Sequence, residues 1–333
     1  MPTAPASHPG PRILVIKLSS LGDLFHALPA VSRIKTAWGA TVDWVTQREY
    51  ADLVACFGAV DRVIAFPRRA TLRHFPAFWR ALRRERYDHV LDFQGLLKSA
   101  LIARAARSAD RIGPSFHREG SPLFYTRLAG PRNKARHAVE ENLDAVRLLA
   151  ADAPESPLQF RFPAFPTTAP EPRVACAPLS RWPSKNWPAS HFVAVLQRLQ
   201  AERGAAVYLL GSAMDRWSCE GIAAQLKGPV FTLAGHLSLP QMGGLLQTMN
   251  LLLANDTGPI HMAAALNVPV LAVFGPTDPV RTGPYGTGHA VVAAPGFDCR
   301  PCFRRACAKG DPAACLEAVT PETVAAQALR MLG

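Results

Sequence analysis

Short runs of β-branched and apolar residues alternate along the chain with longer stretches in which apolar positions recur every three or four residues. This alternation predicts parallel sheets joined by crossover helices. In the first half, RILVIKL (12–18), TVDWVT (41–46), RVIAF (62–66) and HVLDF (89–93) are predicted strands, and 24–38, 71–86, 95–107 and 137–151 are predicted helices. The periodicity stops in the Pro-rich run APESPLQFRFPAFPTTAPEP, which has the composition of a linker. Beyond it the alternation restarts with RVACAP (173–178), AVYLLG (206–211), PVFTL (229–233), LLLAND (251–256) and VPVLAVFG (268–275). The expected architecture is α/β, two doubly wound parallel-sheet domains in tandem. A tail covers 1–11, the first domain 12–155, a linker 156–172 and the second domain 173–333. Such sheets bind ligands beyond the carboxyl ends of their strands, so the site is expected in the cleft where the two domains face each other.

Composition narrows the class. Hydrophobic residues make up 49% and charged residues 19% of 333, as in a globular protein with large cores. No apolar run approaches the ~20 residues of a membrane span, and MPTAPASHPG at the start lacks an apolar signal region, so a cytoplasmic protein is expected. The formal charge of +12 suits anionic partners, with basic clusters at Arg68-Arg69, RALRRER (80–86) and RNKARH (132–137). Solvated helix faces account for such clusters equally well. No nucleic-acid motif accompanies them, and a polynucleotide partner is not expected.

Three segments carry candidate chemistry. The first predicted strand runs into Ser19-Ser20-Leu21-Gly22-Asp23, which puts a carboxylate where a helix begins. Asp there is either a helix-terminus residue or a catalytic base at a sheet edge. The run NDTGPIHMAAALNVPVLAVFGPTDP (255–279) is strand, tight turn, helix and strand. Its Asp256-Thr257-Gly258 turn leaves N–H groups at a helix start, a ready anion site, with His261 in the first turn. The run PLSRWPSKNWP (178–188) offers Ser180, Arg181, Ser184 and Lys185 for a phosphate, or is a surface loop stiffened by Trp and Pro. Only one glycine, Gly22, occupies the first strand turn, so the dinucleotide G-x-G-x-x-G is missing. P-loop, H-E-x-x-H, G-x-S-x-G and Asp-x-Asp patterns are also missing.

In order along the chain, these runs resemble glycosyltransferase family 9, the ADP-heptose:lipopolysaccharide heptosyltransferases. The K-x-S-S-x-G-D-x-x-H-x-L-P run is matched by Lys17, Ser19, Ser20, Gly22, Asp23, His26, Leu28 and Pro29. Asp92, Gln94, Gly95, Leu96, Lys98 and Ser99 match D-x-Q-G-L-x-K-S, and Lys185, Trp187 and Pro188 match K-x-W-P. D-T-G-x-x-H is matched by Asp256, Thr257, Gly258 and His261, and G-P-T-D-P by residues 275–279. The SSLGD and QGLLKS runs look closest to the branch that adds the first heptose to the Kdo region.

The resemblance implies a GT-B fold, with an acceptor domain first and a nucleotide-sugar domain second. It implies that Asp23 is the general base. Ser180, Lys185, Asp256, Thr257, Gly258 and His261 would bind the donor, ADP-heptose. Ser20, Gly22, His26, Gln94, Lys98 and Arg118 would bind a lipid-linked acidic saccharide, with peripheral contact at the inner face of the inner membrane. Transfer would invert the anomeric centre, with no cofactor or metal required. Other nucleotide-sugars, or a non-catalytic nucleotide-sugar-binding role, are the alternatives. Four of the seven cysteines crowd one stretch, Cys299, Cys302, Cys307 and Cys315. Reduced loop thiols are the expectation there. A zinc site is the alternative, although the spacing departs from paired C-x-x-C halves.

Overall fold

The computed structural model describes residues 10–68, 74–133, 135–150, 153–310 and 313–333. Residues 1–9 of the expected tail, Arg69 and Lys134 of the basic clusters, and residues 71–73 and 151 of two predicted helices lie outside the described residues. The chain divides into two compact units, Met1–Arg161 and Phe162–Gly333.

In the first unit, strands β1 (Arg12–Ile16), β2 (Thr41–Gln47), β3 (Arg62–Phe66), β4 (His89–Asp92), β5 (Asp110–Pro114) and β6 (Arg127–Ala129) form one parallel sheet in the order β3-β2-β1-β4-β5-β6. Helices α1 (Leu21–Trp38), α2 (Ala51–Ala55), α3 (Phe75–Arg83), α4 (Leu97–Ala105) and α5 (Ala138–Leu149) connect or flank it. The strand order reverses between β1 and β4, which places their carboxyl-end loops side by side at the switch point. β1 is central, and its apolar run is buried throughout after Arg12, as a strand covered on both faces requires. One side of the core is built from Leu14, Ile16, Val45, Ile64, Phe78 and Leu82. The short strands β5 and β6 escape the hydrophobic pattern because few of their residues are apolar. Gly113 in β5 is required by packing, since a Cβ there would stand 2.0 Å from the Tyr125 ring.

The second unit repeats the plan. Strands β7 (Arg173–Ala177), β8 (Ala206–Leu209), β9 (Val230–Thr232), β10 (Leu251–Asn255), β11 (Val270–Val273) and β12 (Ala290–Val292) are parallel in the order β12-β11-β10-β7-β8-β9. Its helices are α6 (Ala189–Arg203), α7 (Arg216–Ala223), α8 (Leu239–Leu246), α9 (Gly258–Ala265), α10 (Pro279–Thr282), α11 (Ala314–Glu317) and α12 (Pro321–Leu332). Here the order reverses between β7 and β10. Trp187 and Phe192 anchor the core, and the Trp187 indole N–H donates to Val319 O at 2.9 Å.

The Pro-rich run is not a free tether. Phe160 bridges Phe57 in antiparallel fashion, and Gly58 N donates to Gln159 O at 2.7 Å within the first unit. Phe162 and Pro163 lie on α8, where a Cβ at Gly243 or Gly244 would collide with them. No helix among the described residues is long and apolar enough to cross a membrane.

Candidate active site

The β1–α1 loop holds the first group of residues singled out from the sequence. Helix α1 begins at Leu21, three residues before the predicted start, so Asp23 lies inside its first turn. Ser20 is the N-cap, and one oxygen of Asp23 accepts from both Ser20 N and Ser20 Oγ at 2.8 Å. The other oxygen stands 3.9 Å from Nδ1 of buried His26, one helical turn on. The carboxylate is 44% exposed, so it is held by a cap and still reaches solvent. Gly22 is buried beside it. His26 meets the His137 ring edge-on at 5.4 Å, and His137 Nδ1 accepts from Val139 N, capping α5.

The neighbouring β4–α4 loop braces this turn. Gln94 Oε1 accepts from Leu18 N at 3.0 Å and from Ser19 N at 3.1 Å. Gln94 itself is fixed by Asp92, whose carboxylate accepts from Gln94 N, Gly95 N and the Tyr125 hydroxyl. Burial pushes the Asp92 carboxyl above the usual carboxylate range, and hydrogen bonds from Tyr125, Ser99 and the two amides oppose it only in part. Buried Lys17 ties the same two loops by donating to Phe93 O at 2.6 Å.

Lys98, on α4, stands 5.4 Å from the Phe66 ring. Its ammonium is pushed below the ordinary lysine range by burial first and by the charge of Arg68 second, with Glu119 opposing. Two cations, one on α4 and one just past β3, thus share one neighbourhood, an arrangement suited to an anion. Arg118 is exposed, and its backbone N–H bonds Gly95 O at 2.8 Å.

In the second unit, the residues singled out from the sequence lie at the carboxyl ends of β7 and β10. Lys185 Nζ lies 2.6 Å from Asp256 Oδ2, with side chains only 16% and 6% exposed. The same oxygen accepts from Thr277 Oγ1 at 2.5 Å. Thr257 is the N-cap of α9, with Gly258 and Pro259 following, and the buried His261 sits in the first turn. The Lys185 ammonium also lies 4.8 Å from the Trp182 ring centre, against which Arg305 stands at 5.5 Å. Ser180 N donates to Asn186 Oδ1 at 2.7 Å, and Asn255 receives Trp187 N while donating to Pro178 O. The loop after β7 is therefore tied to the end of β10.

Each unit gathers its own share of the residues singled out from sequence: Ser20, Gly22, Asp23, His26 and Gln94 in one, Ser180, Lys185, Asp256, Thr257, Gly258 and His261 in the other. Sequence reasoning did not single out Thr277, Trp182, Asn186, Arg305, Arg68 or His137 as site residues. Thr277 lay within the quoted G-P-T-D-P run, Trp182 and Asn186 within PLSRWPSKNWP, and Arg68 and His137 within the basic clusters, whereas Arg305 is brought to Trp182 only by the fold. Among the described residues no three His, Cys, Asp or Glu side chains are grouped to hold a metal ion.

Two Rossmann-type units in tandem, with polar groups clustered at the carboxyl edge of each switch point, are the units from which the GT-B fold is built. The profile of glycosyltransferase family 9 (heptosyltransferase) matches residues 75–312. The chain is 33% identical to lipopolysaccharide heptosyltransferase 1 of Pseudomonas aeruginosa, over 96% of this chain and 98% of that one. It is 30% identical to the Escherichia coli K12 protein of the same name, over 85% and 94%. The structure of E. coli heptosyltransferase WaaC with ADP superposes with a TM-score of 0.80 at 27% identity, covering 96% of this chain and 99% of that one. The chain belongs to glycosyltransferase family 9.

Proposed function

We propose that this glycosyltransferase moves heptose from ADP-heptose to the inner core of lipopolysaccharide, inverting the anomeric centre without a catalytic metal. The observation that carries the reading is the Asp23 carboxylate, capped yet open to solvent, in a family whose relatives are named lipopolysaccharide heptosyltransferases. A WaaC structure with ADP-2-deoxy-2-fluoro heptose supports the donor.

In this reading the acceptor hydroxyl attacks the anomeric carbon, the bond from that carbon to the diphosphate oxygen breaks, and Asp23 takes the hydroxyl proton. Positioning contributes much of the acceleration, because Ser20 holds one carboxylate oxygen and Gln94 fixes the loop. The departing ADP gains negative charge. Lys185, the Ser180 hydroxyl and the N–H groups of Thr257 and Gly258 at the α9 N-terminus are assigned to stabilise it. Asp256 holds the lysine, and Thr277 bonds the same carboxylate oxygen. Lys98, Arg68 and Arg118 are assigned to the acidic groups of the lipid-linked acceptor, at the inner face of the membrane.

The test is a screen of ADP- and UDP-sugars against truncated lipopolysaccharide acceptors, read by mass spectrometry, with and without added divalent ions. Addition of one heptose from ADP-heptose, independent of added ions and with inverted configuration by NMR, is expected. Preference for another nucleotide-sugar, or no transfer despite ADP binding, would overturn the reading.

A further inference from the structure

Helices α3 and α4 cover the same face of the first sheet, since Phe78, Leu82, Ile102 and Ala103 enter one core cluster. Their opposite sides therefore look outward together. On α4, Leu97, Leu101 and Arg104 recur at helical spacing on that outer side, and all three are exposed. A short turn, Ser121–Phe124, packs on α4 and carries Leu123, which is 86% exposed. The turn is pinned on both sides of this leucine. Buried Ser121 donates its hydroxyl to Gly95 O at 3.1 Å, and the Tyr125 hydroxyl donates to Asp92 at 2.7 Å. A fixed backbone thus holds Leu123 out into solvent. Helix α5 packs on α1, across the sheet from α4. Ala129 of the edge strand β6 is buried toward Asn142 and Ala145 of α5, so its neighbour Leu128 faces the α4 side. Among the described residues, four of the five exposed large apolar side chains of the first unit fall in this region, the fifth being Leu148 on α5.

We propose that this surface seats the first unit on an anionic lipid bilayer. Leu97, Leu101 and Leu123 enter the headgroup boundary, and the basic side chains of α3 and α4 meet the lipid phosphates. An exposed apolar patch rimmed by charge marks an interaction surface, and the sign of the charge identifies its occupant. Neither α3 nor α4 contains an acidic residue, whereas Arg80, Arg83, Lys98 and Arg104 all lie on them. Glu119, in the loop before the turn, is engaged by the Leu97 amide at 3.1 Å. Long basic side chains keep their heads at the phosphates while their stems lie along apolar surface, and an anionic leaflet attracts each of them. A second copy of the chain seated by the same face would bring two sets of cations together, which disfavours it.

The placement bears on transfer. Helix α4 starts three residues after Gln94, whose side chain braces the turn leading into Asp23. The patch therefore begins at the carboxyl edge of the sheet, next to the turn that carries the carboxylate. A saccharide whose lipid stays in the bilayer meets that edge without leaving the membrane. This consequence for the acceptor rests on the function proposed above, whereas docking on lipid does not.

The experiment measures partition of the full-length protein onto vesicles by flotation, with phosphatidylcholine alone and with about one-third phosphatidylglycerol. Binding about tenfold tighter to the anionic vesicles is expected, weakening as salt rises. A double variant, Leu101→Glu with Leu123→Glu, is expected to lose about tenfold or more of that binding, while Leu148→Glu keeps it. With a soluble truncated acceptor the double variant is expected to turn over as the wild type does. If the double variant does not fold, hydrogen exchange of the wild type takes its place, with slower exchange expected over α4 and residues 119–128 when anionic vesicles are added; unchanged exchange there overturns the surface. Wild-type protein that ignores anionic vesicles, or a folded double variant that binds them as tightly, also overturns it. Loss of self-association in the double variant with vesicle binding unchanged assigns the patch to a second copy and overturns the lipid. Vesicle binding that depends on these leucines, without heptose transfer to any acceptor, supports the surface and overturns the proposed function.

Discussion

Lys185 and Asp256 meet at 2.6 Å, and the carboxylate oxygen that faces the ammonium is the one that Thr277 also bonds. Both side chains are largely shielded from water, so neither moves without leaving the other poorly satisfied. Asp256 thus serves as an anchor for the lysine. Asp256 immediately precedes Thr257, the N-cap of α9, so the ammonium it holds belongs to the surroundings of that helix N-terminus, where an anion is favoured.

The first prediction follows from that anchor. Lys185→Ala is expected to weaken ADP binding by about 10- to 100-fold, the worth of a hydrogen bond to a charged group. Asp256→Asn keeps an oxygen for Thr277 and removes only the charge that orients the ammonium, and a loss of about tenfold is expected. Calorimetry with ADP distinguishes the roles. Should Asp256→Asn bind ADP as the wild type does, the anchoring role fails.

Asp23 carries two duties, and substitution separates them. Asp23→Asn leaves an oxygen for the Ser20 amide, so only about 1 kcal/mol of capping is at risk, or a few degrees in melting temperature. Turnover is expected to fall by about 10³-fold with ADP affinity unchanged. A variant that keeps a tenth of wild-type turnover would remove Asp23 from the chemistry.

The central strands and the long amphipathic helices were legible because burial on both faces writes itself as apolar runs, as in LVI of β1 and LLLA of β10. β5, β6, β12 and α2 left little pattern, being three to five residues long and, in β5 and β6, held as much by Arg127 against Asp110 as by apolar packing. Asp23, Lys185 and Asp256 were singled out because their runs follow predicted strands and match the motifs of the family the chain resembles. What sequence could not supply is pairing across distance: that Asp256 is bonded by Thr277, that Gln94 seats the loop of Ser19, or that Arg68 neighbours Lys98. Such contacts come from strand order, and neither the hydrophobic pattern nor local spacing records it. The start of α1 was placed late because Leu21 and Gly22 look like a turn, whereas the Ser20–Asp23 capping box begins the helix there.

The neighbourhood of Lys98 and Arg68 makes a prediction about salt. Two nearby cations, one of them depressed by burial and by the other, gain most from an anion that neutralises both. Lys98→Met is expected to raise the acceptor KM by about tenfold with kcat little changed, and the difference from wild type should shrink as ionic strength rises, since screening weakens the same attraction. Steady-state kinetics with a phosphorylated acceptor at two salt concentrations provide the check. A salt-independent KM in the wild type would count against an electrostatic role for either cation.

Asp92 ties pH to the stability of the first unit. Burial raises its pKa in the folded chain above the unfolded carboxylate value of about 3.9. Between those two values the folded state binds more protons than the unfolded state, so the contribution of Asp92 to stability decreases as pH rises through that window and levels off above it. Asparagine keeps an oxygen for the Gln94 and Gly95 amides and offers an N–H to the Tyr125 oxygen, without a charge to bury. Asp92→Asn is therefore expected to gain relative to wild type as pH climbs from acid toward neutrality. Denaturant titrations of both proteins across that range measure the difference; a constant offset, with no dependence on pH, would mean that Asp92 titrates alike in the folded and unfolded chains.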